Sequence, residues 1–264
     1  DDGTLKFTVE KVVNQDIYIK ALTDGKLKSS KGINVPHVNL GKNIITARDK
    51  KMIQFAISNK IDFIGLSFIE NGEHLSKIRK LVKGSIPKLV AKIENKKGIE
   101  NLINIIKKTD CVMIDRGDLS TETNIETLAI NQKKIIETCL KYAKPVIVAT
   151  EMLDNMINNP FPTKAEALDI FNSVAEGATA TMLSGETAVG KYPIESIRTM
   201  AKIANTSILH TDIQDKKYDL EINGMAIAIK NLCRLLPINK VITVTVSGFA
   251  PRIISAQKIT QPII

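Results

Sequence analysis

Leu89-Val90-Ala91-Lys92-Ile93-Glu94-Asn95 and, a helix's length further on, Cys111-Val112-Met113-Ile114-Asp115-Arg116-Gly117-Asp118 decide the fold of this chain. Each is a short apolar run that ends in charged residues. The runs are apolar at nearly every position instead of alternating, which marks strands of a parallel sheet covered on both faces. Runs of the same kind recur outward at Phe63–Phe68, Pro145–Ala149 and Ala180–Leu183. Amphipathic stretches of helical period separate them at Glu73–Val82, Ile125–Tyr142, Thr163–Ala175 and Ile194–Ala204. Strand and helix in alternation make an α/β chain, and the pattern fits either a (β/α)8 barrel or a doubly wound sheet.

The flanks read differently. Residues 1–38 hold short strand-like pieces, Lys6–Val9 and Asp16–Ala21, punctuated by Gly25, Gly32 and Pro36, and are expected to form a small β segment. Leu209–Asn223 is polar and charged and reads as a linker. Beyond it, a helix over Gly224–Leu235, a strand over Val241–Val246, the pair Ser247-Gly248 and a further helix predict the opening of a second α/β domain. The expected units are therefore residues 1–38, 39–209 and 210–264.

Composition narrows the function classes. With 264 residues and 44% hydrophobic content the chain can bury a sizeable core. It holds no apolar run of the roughly 18 residues that a membrane helix needs. The net charge of +9 is spread over lysines such as Lys50-Lys51 and Lys133-Lys134, and only 4% of residues are aromatic, so no nucleic-acid surface is expected. Cys111, Cys139 and Cys233 lie far apart and form no CxxC motif, which fits buried thiols in a reducing compartment. His37, His74 and His210 are equally scattered, which gives little support to a histidine metal site or a Ser-His-Asp triad.

The informative feature is where polar residues fall. In a parallel barrel, strand ends on the C-terminal face carry the chemistry. Here the ends offer Ser67; Lys92 and Glu94; Asp115-Arg116-Gly117-Asp118; Thr150-Glu151; and Ser184-Gly185-Glu186-Thr187. Lys92 and Glu94 are two apart and so enter the same space. Taken alone they read equally well as a barrel salt bridge. Glu94 and Asp118 from neighbouring strands could hold one Mg²⁺, with Lys92 as a second positive charge, an arrangement suited to a transferring phosphoryl group. Gly117 and Asp118 at a strand-to-helix turn suit anion binding by the backbone, or simply a tight turn capped by Asp118. Arg116 reads as either a site residue or a structural ion pair, and Met152, Leu153 and Met156 as core packing.

Lys92-Ile-Glu-Asn95, Arg116-Gly-Asp-Leu119, Ala149-Thr-Glu-Met-Leu153 and Met182-Leu-Ser-Gly-Glu-Thr-Ala188, in that order, resemble the barrel motifs of the pyruvate kinase family. Pro162-Thr-Lys-Ala-Glu166 and Gly190-Lys-Tyr-Pro193 resemble its signature stretches, and Ser30-Lys-Gly-Ile-Asn-Val-Pro36 the end of its lid domain. The resemblance implies a TIM-type (β/α)8 barrel represented by about its last five βα units, part of a β lid, and the start of a C-terminal α/β domain. It implies phosphoryl transfer from phosphoenolpyruvate to ADP in a homotetramer, with Mg²⁺ or Mn²⁺ and usually K⁺. By the same resemblance, Lys92 stabilises the phosphoryl group in flight and the enolate. Glu94 and Asp118 hold the metal. Ser67, Gly117, Asp118 and Thr150 line the phosphoenolpyruvate pocket, Thr150 lies where the enolate is protonated, and Lys31 reaches the nucleotide phosphates.

The sequence also departs from the family pattern. Ser120 and His37 stand where glycine is usual, and Glu70, Phe161 and Lys164 where arginine is usual. Glu70 is expected to weaken phosphate binding, and Phe161 and Lys164 to alter a subunit contact. The family's earlier barrel strands are not among these residues, so the chain is expected to be part of a longer protein, poorly active alone and prone to associate. Two other readings stand beside the kinase: another Mg²⁺-dependent phosphoenolpyruvate/pyruvate barrel enzyme, such as an aldolase, and a catalytically degenerate paralogue. The resemblance implies a cytoplasmic enzyme; the Lys-, Asn- and Ile-rich style resembles apicomplexan parasites, some of which carry a form in a plastid-type organelle (the apicoplast).

Overall fold

Among the described residues, five of the seven strands share one sheet, and their order settles which α/β architecture this is. The computed structural model describes residues 3–27, 29, 31–35, 45–84, 86–210, 220–246 and 248–264. After an antiparallel hairpin of β1 (Phe7–Val13) and β2 (Asp16–Ala21), the strands β3 (Phe63–Leu66), β4 (Lys88–Ile93), β5 (Cys111–Asp115), β6 (Val146–Ala149) and β7 (Ala180–Met182) follow. They lie side by side in chain order, all parallel. A doubly wound sheet reverses its strand order part-way; this one never does. The chain is α/β with a five-stranded parallel sheet of the kind found in part of a TIM-type barrel.

Helices run between the strands: α1 (Ala47–Ser58), α2 (Gly72–Val82), α3 (Lys96–Glu100), α4 (Leu102–Lys108), α5 (Arg116–Glu122), α6 (Leu128–Lys141), α7 (Lys164–Glu176), α8 (Gly185–Ala188) and α9 (Pro193–His210). Right-handed crossovers between sequential parallel strands place their helices on one face. The core shows this directly. Leu89, Ala91 and Ile93 of β4, Val112 and Ile114 of β5, and Val146 and Val148 of β6 pack with Leu75, Ile105, Ile136 and Ile170 from the helices. The alternate positions, Val90, Lys92, Met113, Asp115, Ile147 and Ala149, therefore face the other way. That second face leads to the functional residues.

Three expectations are corrected. β3 and β7 are partly to fully exposed along their length, unlike β4 to β6. Each is an edge strand with one neighbour, so one flank and much of a face meet solvent. Val241–Val246 does not form a strand; only Val241 bridges to Ile263. Apolar alternation makes a strand only where another backbone lies alongside to complete the ladder, and here Pro262–Ile264 supplies a single short stretch. The stretch Leu209–Asn223 is not all linker, because α9 runs to His210 and α10 (Leu220–Leu235) begins early. α10 and α11 (Phe249–Ser255) build a second, smaller core around Ala226, Ile253 and Ile254. Among the described residues no helix is long and apolar enough to cross a membrane.

Asp110 ties α2, β4 and β5 together. Its Oδ2 accepts from the Leu89 N–H at 2.8 Å and pairs with the Arg79 guanidinium. Burial favours the neutral acid, but the Leu89 and Arg79 bonds outweigh it and hold the carboxyl below the usual aspartate range. A depressed folded value means stability that is present above the unfolded value, about 3.9, and lost as pH falls through the folded one. Asp110→Asn is therefore expected to be less stable than the parent chain at pH 6, with the gap closing at pH 2.5, in urea titrations at both values. A gap independent of pH sinks the assignment.

Candidate active site

Each strand delivers its last side chains to one place. Lys92 leaves β4 two residues before Glu94, and the pairing of Lys92 with Met113 and Ile93 with Ile114 carries Glu94 level with Asp115. The Lys92 ammonium lies 2.5 Å from Glu94 Oε1 and 2.9 Å from Asp115 Oδ2, and donates to Ser67 Oγ at 3.3 Å. Glu94 is fully buried. Its Oε2 accepts from the Phe68 N–H at 2.5 Å, and its Oε1 accepts no bond of hydrogen-bonding geometry. Asp118, in the first turn of α5, completes the group: one carboxylate oxygen from each of Glu94, Asp115 and Asp118 lies within 4.8 Å of the others.

Burial and charge act in opposite directions on the pair. Burial disfavours the Lys92 ammonium, yet its contacts with Glu94 and Asp115 prevail and raise its pKa, so it stays charged. For Glu94, burial is the larger effect and pushes the carboxyl above its ordinary value, against the pull of Lys92 and the Phe68 N–H. With its carboxylates ionised, the cluster sets three negative charges against one positive. Oxygen donors only, two of the three carboxylates buried, suit a hard divalent cation.

A strained turn shapes the next wall. Thr150 and Glu151 have φ of 71° and 52°, a left-handed conformation that a β-branched residue rarely takes. Arg116 holds it there. Its guanidinium donates to Thr150 O at 2.7 Å and Glu151 O at 3.0 Å, and to Asp169 at 2.6 Å. This fixes the Thr150 hydroxyl, which accepts from the Gly117 N–H at 2.8 Å and donates to Ala149 O at 2.6 Å. An incoming carboxylate would have to replace Thr150 Oγ1 at that N–H. Glu186, also buried, accepts from the Leu153 and Ser184 N–H groups and locks the loop after β6 to the one after β7.

Of the residues singled out from sequence, Ser67, Lys92, Glu94, Gly117, Asp118 and Thr150 come together, Ser67 and Asp118 flanking the Lys92–Glu94 pair and Thr150 bonding Gly117. Asp118 is not a helix cap; Asp115 occupies that position, without a capping bond. Arg116 is a structural clamp. Lys31 lies on an exposed segment whose neighbour Asn34 donates to Asp118 Oδ1 at 3.1 Å and Glu122 Oε1 at 3.4 Å. Glu70 turns to Lys97 at 3.2 Å, so its charge is locally offset. Ser120 donates to Gly117 O within its helix, Phe161 is largely exposed, Lys164 opens α7, and His37 lies outside the described residues. Sequence reading passed over Asn34 and gave Asp115 no role. The signal for Asp115 was a carboxylate closing an otherwise apolar strand; Asn34 had none, because its contact with Asp118 spans 84 positions.

The family model for the pyruvate kinase barrel domain matches residues 1–197. The chain belongs to the pyruvate kinase family. It is 36% identical over 276 residues to the pyruvate kinase of Clostridium perfringens, 37% over 276 to that of Geobacillus stearothermophilus, and 36% over 271 to that of Methanocaldococcus jannaschii. Each alignment covers all of this chain but only 58%, 47% and 60% of the respective pyruvate kinase. The chain thus spans about half the length of the curated relatives it matches.

Proposed function

We propose that this chain carries the phosphoryl-transfer centre of a pyruvate kinase, moving a phosphoryl group from phosphoenolpyruvate to ADP to give pyruvate and ATP. The observation that carries the reading is the half-buried Lys92 ammonium held at the strand ends among Glu94, Asp115 and Asp118, in a chain of this family. Phosphoryl transfer asks for positioning and positive charge, with no covalent nucleophile. Lys92, kept charged by its carboxylate neighbours, meets the transferring group and the enolate oxygen. Ser67 steers that ammonium from the far side. Thr150, locked by Arg116, presents its hydroxyl beside Gly117, where the substrate carboxylate binds and the enolate is protonated through water.

Glu94 and Asp118 hold Mg²⁺ or Mn²⁺ in this reading. When bound, the ion supplies charge neutralisation on the phosphoryl oxygens. K⁺ is the monovalent cofactor in this reading, as the family resemblance implies. Residues 1–38, with Lys31 reaching the ADP phosphates, serve as the end of a lid; 39–209 form the catalytic barrel portion and 210–264 the start of a C-terminal domain. The assembly is a homotetramer as in the family pattern. Cys111, Cys139 and Cys233 are free and buried, which fits a reducing, cytoplasmic setting. Family membership argues against the aldolase reading.

The test is pyruvate formation from phosphoenolpyruvate and ADP with Mg²⁺ and K⁺, run on the chain and on the longest natural polypeptide that contains it. Turnover by the longer polypeptide is the expected result. Phosphoenolpyruvate binding without turnover there would sink the kinase reading in favour of a degenerate paralogue.

A further inference from the structure

The function proposed above gives Asp115 neither substrate nor metal to hold, yet it closes β5 nearly buried and with its carboxylate on the Lys92 ammonium. One ammonium is thus shared by two carboxylates, and one of these, Glu94, is a proposed ligand of the divalent cation. A cation that takes up Glu94 must compete with Lys92 for it. If Glu94 were the sole counter-ion, loading would strand a half-buried ammonium against the Ser67 hydroxyl alone, and an unpaired buried charge is costly. Asp115, at 2.9 Å, already holds the same ammonium from the neighbouring strand.

We infer that Asp115 is a positioning residue: it keeps the Lys92 ammonium paired when Glu94 turns to the divalent cation, and so lets cation and lysine occupy the site together. The inference rests on the reading of Glu94 and Asp118 as cation ligands. Asp115 also raises the negative charge at the strand ends.

The experiment is a Mn²⁺ titration of the longest natural polypeptide that contains the chain, followed by electron paramagnetic resonance of the free ion, with unfolding midpoints recorded for each variant. Asp115→Asn is expected to weaken Mn²⁺ binding at least tenfold with Lys92 present. In a Lys92→Met background the same change should cost no more than about threefold, since no ammonium then needs a second partner. Equal losses in both backgrounds would make Asp115 a plain ligand or a structural residue and overturn the inference, as would no loss in either. Should the amide not fold, Asp115→Ser undergoes the same comparison. Glu94→Gln and Asp118→Asn separate the two levels. If they abolish binding while Asp115→Asn does not affect it, the inference alone fails; if they leave binding intact, the ligand reading fails and the inference with it.

Discussion

Lys92→Met is expected to lower turnover of the polypeptide that carries this chain by at least about a thousandfold, roughly 4 kcal/mol of transition-state stabilisation. Methionine keeps the unbranched apolar stem of lysine, so the packing of that stem survives while the charge is lost. The loss should fall on kcat more than on KM, because the charge is needed most where the phosphoryl group is in flight. Mn²⁺ binding should persist or tighten, since Glu94 loses the ammonium that lies 2.5 Å from it. A variant that retains a tenth of the parent's kcat would remove Lys92 from the chemistry. Loss of Mn²⁺ binding together with turnover would mean that the lysine only holds the site together.

Arg116→Lys is expected to cost about 2–4 kcal/mol of stability and to lower activity with it. The guanidinium bonds two successive carbonyls of a left-handed turn and Asp169 at once. A lysine has one point of charge and no fork, so it can serve one of these partners and leaves the others short. The turn at Thr150 and Glu151, no longer clamped, is then free to relax toward φ below zero. That moves the Thr150 hydroxyl away from the Gly117 N–H, and the catalytic loss should exceed what the unfolded fraction explains. Urea titration combined with the pyruvate assay checks both. A stability change under about 1 kcal/mol with normal kinetics would show that other contacts hold the turn.

Much of this molecule could be read from its residues. β4 to β6 follow from apolar runs that only a sheet covered on both faces tolerates. Lys92 and Glu94 share a side because strand side chains alternate, whatever surrounds them. Their placement beside Asp118 follows once neighbouring strands are taken as parallel and in register. The motifs from Lys92 to Ala188 pointed to the family for the same local reasons.

Other features depended on residues distant in sequence. Strand order, never reversed from β3 to β7, chose the barrel-type sheet over the doubly wound one, and pairing order leaves no local trace. Edge position exposed β3 and β7 although their composition matches that of the covered strands. Val241–Val246 has the alternation of a strand and lacks a ladder, since a strand exists only with a partner. The left-handed turn at Thr150 is imposed by Arg116, 34 positions earlier, against the preference of a β-branched residue. Asp115 gained its place on Lys92 in the same way, through the register of two strands. The sequence by itself determined the covered strands β4 to β6, the amphipathic helices α2, α6, α7 and α9 and the charges at the strand ends, because these depend on local periodicity and side-chain type. The tertiary structure alone decided which of those charges meet, because a contact is set by packing between elements far apart along the chain.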